Sequence, residues 1–222
     1  MACAPKAGQE KPPPDGPFAV SDYYAPSGAM GDGATNGNLI AHTDTPCKAR
    51  PPGARGSCYS FEYVASAPYT TPVNHTTGVC NWAGVFFQHP ANNWGAEQGE
   101  PVPSGQLTKL TFQVAVAAGS ELLSFQAGGI GVPPLPDGAP APPPATACPP
   151  AETPPPIYYD DISSTVMLPV GTDWQKIEIP IMARQPGAPV PATTNLIGAF
   201  SWGISASGGL PKTVYIDDLF YE

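Results

Sequence analysis

The stretch Trp82-Ala-Gly-Val-Phe-Phe-Gln-His-Pro-Ala-Asn-Asn-Trp94-Gly95 gathers the side chains best suited to holding a sugar. Two flat apolar rings, Trp82 and Trp94, can pack on the C–H face of a pyranose. The amides of Gln88, Asn92 and Asn93 both donate and accept, as a ring of hydroxyls requires. A single tryptophan is more often a core plug than a platform, so the cluster carries this reading. Hydrolysis would need more, namely two carboxyls set ~5–10 Å apart across a cleft. The acids in strand or loop positions are Glu62, Glu97, Glu100, Glu121, Asp160, Asp161, Asp173 and Glu178, and none lies in a signature. Asp160 and Asp161 are adjacent, point apart on an extended chain, and are expected in a solvated loop. His42, His75 and His89 sit in no Gly-x-Ser-x-Gly or His-Glu-x-x-His motif. The expectation is binding without catalysis.

Composition decides what can position such a site. Only 12% of the 222 residues are charged, against 24 Gly and 32 Pro. Exposed helices need a charged wet face, so short strands with rigid loops are expected instead. A net charge of −9 argues against nucleic acid or an anionic membrane surface as partner. No stretch approaches the ~20 apolar residues of a membrane span, and no apolar leader follows Met1-Ala-Cys-Ala-Pro.

Five cysteines in a lysine-poor chain fit an oxidising, extracytoplasmic compartment. Cys47 and Cys58 flank a loop short enough for one bridge, which leaves Cys80 to Cys148. Four cysteines still allow three pairings, and the sequence does not choose among them. Cys3 precedes a tract of Ala, Pro, Lys, Gly and Gln, as the lipid-bearing cysteine of a bacterial lipoprotein would. The alternative for Cys3 is a spare thiol in a frayed terminus.

Residues 1–16 read as a flexible tether, and 17–222 as one domain interrupted by an insertion at 132–156 that is about half proline. Strands are expected at Phe18–Tyr24, Leu39–Ile40, Tyr59–Tyr63 and Val85–Phe87, with a glycine-rich loop at Ser27–Gly33. Further strands are expected at Leu107–Val116 and Glu121–Ala127, read as a hairpin turning at Ala118-Gly119-Ser120. Ser164–Leu168, Trp174–Ile179, Leu196–Ile204 and Thr213–Tyr221 close the chain. Alternation places Trp202 in the core beside Phe200 and Ile204, and Trp174 is assigned there too. The fold class is all-β, an antiparallel sandwich of jelly-roll type.

Several of these pieces, in order, resemble the galactose-binding-like jelly rolls used as bacterial carbohydrate-binding modules. They are Leu107-Thr-Lys-Leu-Thr-Phe with Glu121-Leu-Leu-Ser-Phe-Gln, Thr172-Asp-Trp-Gln-Lys-Ile-Glu-Ile179, and Val214-Tyr-Ile-Asp-Asp-Leu-Phe-Tyr221. The resemblance covers residues 17–222 without the insertion. It implies a structural calcium joining the first strand and its loop to the last strand, with Asp22, Asp32 and Asp218 as candidate ligands. Asp218 is preferred over Asp217 because it shares the inward parity of Val214 and Ile216.

The expected function is a non-catalytic, extracytoplasmic polysaccharide binder. Trp82, Trp94, Gln88, Asn92 and Asn93 are its anchors. Gln113, Gln126 and Glu62 add outward polar groups on neighbouring strands, and Tyr158 and Tyr159 extend the site. The alternative is a cell-surface or filament subunit that self-assembles through the same patch. A glycoside-active enzyme is third.

Overall fold

A computed structural model of the chain describes residues 12–31, 39–44, 47–64, 82–131, 157–205 and 211–222. The regular structure of the described residues is strand; two short 3-10 turns, Val20–Asp22 and Ser104–Gln106, are the only helical elements among them. The first sheet runs β10 (Gln175–Pro180), β7 (Lys109–Val116), β13 (Pro211–Tyr221), β4 (Tyr59–Val64) and β3 (Leu39–Thr43), with β1 (Phe18–Ala19) on the end of β13. The second runs β2 (Ala25–Gly31), β5 (Trp82–Gln88), β12 (Gly198–Ser205), β8 (Glu121–Gly128) and β9 (Ser163–Val170). A ribbon of β6 (Glu100–Val102) and β11 (Thr194–Leu196) stands apart. All pairings are antiparallel. This is the expected β-sandwich of jelly-roll type.

Alternation builds the core. Phe61 and Tyr63, Leu110, Phe112, Val114 and Val116, and Val214 and Ile216 turn inward from the first sheet. Val85, Phe87, Leu123, Phe125, Phe200, Trp202 and Ile204 meet them from the second. Rings cross the gap directly: Phe112 lies 4.9 Å from Phe125, and Phe61 lies 5.1 Å from Trp202. Each buried aromatic removes about 150–250 Å² from water, so this layer is the main adhesive of the fold. Trp202 is in the core, as its parity predicts.

Four expectations need correction. β7 and β8 are not a hairpin: β7 pairs with β10 and β13, and β8 with β12 and β9. Their apolar faces are opposed across the core, so the 117–120 turn arches between sheets instead of joining neighbours. Phe18–Tyr24 breaks after two residues into the 3-10 turn. The glycine-rich stretch at 27–31 is strand, because Gly28 lies opposite Phe86 with the Gln88 amide packed against it; a Cβ there would come within 2.6 Å of that amide. Trp174 is half-buried on the outer surface of the first sheet, where its Nε1 donates to Ala49 O at 2.8 Å and its ring abuts Tyr215.

That outer surface is covered by the loop 47–58. Cys47 and Cys58 are joined, as the loop length suggested. Arg50 grips Asp217 with two bonds of 2.7 and 2.8 Å, and Lys48 donates to Thr172 O. Arg55 bonds Asp218 at 2.8 Å and lies over the Phe220 ring, 3.7 Å from its centroid. The outer face of the second sheet is covered by Ile130, Ile197 and Trp94 at its Phe86 end and is open towards Leu122 and Met167.

Candidate functional site

The outer face of the second sheet is assembled from every other residue of its strands. Phe86, Ser201, Gln126 and Thr165 form one row in register across β5, β12, β8 and β9. Gly84, Gly203, Ser124 and Met167 form the next. Four strands at about 4.8 Å spacing make each row roughly 14 Å long. A shallow cavity of about 140 Å³ lies here, lined by Phe86, Ser124, Phe125, Gln126, Thr165, Ser201, Trp202 and Gly203. No charged side chain lines it. Gly203 lowers its floor, and the hydroxyls and amide offer both donors and acceptors.

Trp94 stands at the Phe86 end, 38% exposed, with its ring edge-on to Phe86 at 5.8 Å. The loop that holds it is built from the amides expected to contact ligand. Gln88 is buried; its Nε2 donates to Asn93 O and its Oε1 accepts from Ser27 Oγ. Asn93 is also buried, donating from Nδ2 to His89 O and Glu97 O while Oδ1 accepts from Gly95 and Glu97 N–H. Both amides are therefore struts of the Trp94 loop and not free hydroxyl contacts, because a buried amide must be fully bonded. Asn92 is exposed at φ +62°, its N–H held by Ser27 Oγ. Trp82 shares the register parity of Gly84 and Phe86, opposite Ser205, while its side chain is outside the described residues.

The weaker candidates divide between two surfaces. Gln126 lies in the cavity and donates to Ser163 Oγ. Gln113 and Glu62 lie on β7 and β4, opposite Asp217 and Thr213 on the outer side of the first sheet. The whole core separates them from Trp94, so they cannot complete the same site. Tyr158 joins it instead: Ile157 and Tyr158 N–H both donate to Gly95 O at 2.9 Å, bringing two exposed side chains beside Trp94. Tyr159 turns to a second cavity of about 150 Å³ with Asp161 and Arg184.

Asp217 and Asp218, at the other end, are each engaged by an arginine. Asp218 is the extra residue of a β-bulge between Asp217 and Phe220, at φ +51°. The bulge resets the parity, so Leu219 takes the inward position and Asp218 turns out to Arg55. Asp217, of the opposite parity, is fully buried against Arg50. Both carboxylates thus already have a guanidinium counter-ion. Asp22 lies in the first 3-10 turn. No group of three metal-ligating residues occurs among the described residues. Asp32, Cys3, Cys80 and Cys148 lie outside the described residues.

Asp160 is the residue that sequence reasoning placed least well. It is fully buried, not solvated, and its carboxylate accepts three backbone N–H groups: Ile197 at 2.6 Å, Ile130 at 2.9 Å and Gly198 at 3.2 Å. Burial pushes its carboxyl up to about 7, against the pull of those three donors and of Arg184. Ser124, Thr165, Ser201 and Gly203 were missed as well. Their signal was outward parity between apolar inward neighbours, which an eye set on amides and tryptophans passes over.

No family model matches the sequence, and no curated protein does. Among solved structures, the chain is similar to a family 30 carbohydrate-binding module at TM-score 0.47 and 14% identity, over 93% of this chain and 98% of that one. It is similar to the family 30 module of a cellulosomal cellulase of Clostridium thermocellum at 0.45 and 12%, over 90% and 92%. A family 11 module from Clostridium thermocellum, solved with a β-1,3-1,4-mixed-linked tetrasaccharide, follows at 0.38 and 12%, over 87% and 94%. Identity and superposition are both low, so the functional reading comes from the molecule's own surface.

Proposed function

We propose that this chain is a non-catalytic module that binds a polysaccharide across the outer face of the β2-β5-β12-β8-β9 sheet. Trp94 is the stacking platform, and Ser124, Gln126, Thr165 and Ser201 are the hydroxyl-matching floor. The observation that carries this reading is an uncharged groove, with an exposed tryptophan packed on its Phe86 wall, on the sheet face opposite the Cys47–Cys58 loop. The Cys47–Cys58 bridge supports an oxidising, extracytoplasmic setting. No helix among the described residues is long and apolar enough to cross a membrane. Exchange of water for sugar contacts is nearly balanced, so each site is expected to be weak.

The test is native gel retardation in a panel of soluble polysaccharides. At least one glycan should retard the protein, and Trp94→Ala should abolish that while the variant stays folded. Absence of retardation by every glycan would overturn the proposal. Self-assembly then becomes the better reading, favoured by Leu122 and Met167, 58% and 65% exposed on the same face near the edge strand β9. Sedimentation against concentration would read it out.

A further inference from the structure

The carboxylate of Asp160 joins two separate places in the fold through three N–H groups. Ile130 N–H comes from the turn after β8, and Ile197 and Gly198 N–H come from the start of β12. Ile130 and Ile197 form, with Phe86, a buried cluster separate from the main core. Trp94 rests on the Phe86 of that cluster. On its own segment, Asp160 follows Ile157 and Tyr158, whose N–H groups hold the carbonyl of Gly95, the residue after Trp94. One acid therefore ties both the floor beneath the Trp94 ring and the segment that clips its loop.

We propose that Asp160 is a positioning residue for the Trp94 platform, and that its ionised form is the one that holds the platform for ligand. This deepens the glycan-binding reading and rests on it. Every hydrogen bond to the carboxylate among the described residues comes from a donor, and a carboxylate accepts all three. A protonated acid brings an O–H among N–H groups and loses the charge that strengthens all three bonds. The strap between Ile130 and Gly198 then relaxes, and Phe86 and Trp94 lose their fixed floor.

The charged and titratable groups packed around Asp160 do not mimic this behaviour. Arg184, from the loop after β10, donates to the carbonyls of Gly129, Ile130 and Asp160 and stays charged. Tyr24 and Tyr221 donate to Leu196 O and Ala199 O, and burial holds both hydroxyls well above their ordinary range. Asp161 accepts from Thr194 Oγ1, outside the three-donor cradle. His89 lies at the root of the Trp94 loop, with Nε2 3.2 Å from Glu100 and Nδ1 3.0 Å from Tyr23 O, and is the competitor that a test must separate.

The experiment labels the tryptophans with fluorine and follows the Trp94 ¹⁹F resonance, assigned by Trp94→Phe, from pH 5 to 8.5. It should move through the neutral range in the wild type and in His89→Gln, and stay fixed in Asp160→Asn. The ¹³C-carboxyl resonance of Asp160, read in the unmutated protein, should share that midpoint, so the test survives if Asp160→Asn does not fold. Affinity for the glycan that retards the protein should weaken about fivefold on acidification, the net worth of about one hydrogen bond. A Trp94 resonance that is flat with pH, that titrates unchanged in Asp160→Asn, or that stops titrating in His89→Gln overturns the inference. A Trp94 resonance that tracks Asp160 in a protein that no glycan retards would sink the functional reading alone, leaving Asp160 as the anchor of the loop.

Discussion

Arg50→Ala tests whether the clamp over the first sheet is structural and separate from ligand binding. Asp217 is 0% exposed, and Arg50 supplies both of its guanidinium bonds, at 2.7 and 2.8 Å. Removing Arg50 leaves the carboxylate with the N–H of Asp218 as its remaining hydrogen bond among the described residues. Breaking a buried pair in this way costs about 3–5 kcal/mol. Arg50 itself is 39% exposed, so water already screens the pair. We therefore expect about 2–3 kcal/mol. For a chain of this size that lowers the melting temperature by about 5–10 °C. Asp217→Asn should cost only about 1 kcal/mol, because a neutral amide needs no counter-ion and Arg50 can turn to solvent. The double variant should then cost less than the sum of the singles. Urea denaturation, with midpoint and slope fitted separately, reads all three. Glycan retardation of folded Arg50→Ala should equal that of the wild type, because the pair lies on the sheet opposite Trp94. A loss below about 0.5 kcal/mol would refute the buried-pair reasoning, and a loss of retardation would refute the choice of face.

Three further outcomes are expected. Replacing Cys47 and Cys58 together by Ala opens a loop of sequence separation 11 and should cost about 3 kcal/mol in a urea titration; an unchanged midpoint would mean that the ion pairs alone hold the loop. A chelator should leave the melting temperature unchanged, and Asp218→Ala should lower it equally with and without chelator, since Arg55 is the partner of Asp218; a chelator-dependent shift would restore the calcium expectation. The buried Asp160 carboxyl, raised to about 7 from an ordinary 3.8, binds a proton more tightly in the folded chain than in the unfolded one. Its contribution to stability is thus full below the ordinary carboxylate range and lost as pH rises through about 7. The difference in urea midpoint between wild type and Asp160→Asn, compared at pH 5 and pH 8, should show that fall. The platform is expected to loosen on acidification while global stability rises, so general softening of the protein cannot produce both signals.

Some of this protein is legible in its sequence because period-two alternation is a local property. It identifies the aromatic strands, the inward set of Phe61, Phe112, Phe125, Phe200 and Trp202, and the all-β class. Loop length alone anticipates the Cys47–Cys58 bridge. Trp94 is marked by its polar neighbours and is indeed exposed at the rim of the groove. What alternation cannot decide is which sheet a strand joins. Leu107–Val116 and Glu121–Ala127 have the pattern of a hairpin, but burying two apolar faces against each other separates them into opposite sheets. That separation also sends Glu62 and Gln113 to the far side from Gln126, although all three read alike as outward polar residues. One inserted residue at Asp218 turns that aspartate outward, because a bulge resets parity without marking the sequence. Asp160 was beyond sequence reasoning for a further reason. Its partners are backbone N–H groups 30, 37 and 38 residues away, and backbone groups have no side-chain identity to betray them. The chain by itself determines which residues are apolar, which can hold a sugar and where strands form. Tertiary packing decides which of them share a face, because only the closed core brings distant strands into one sheet.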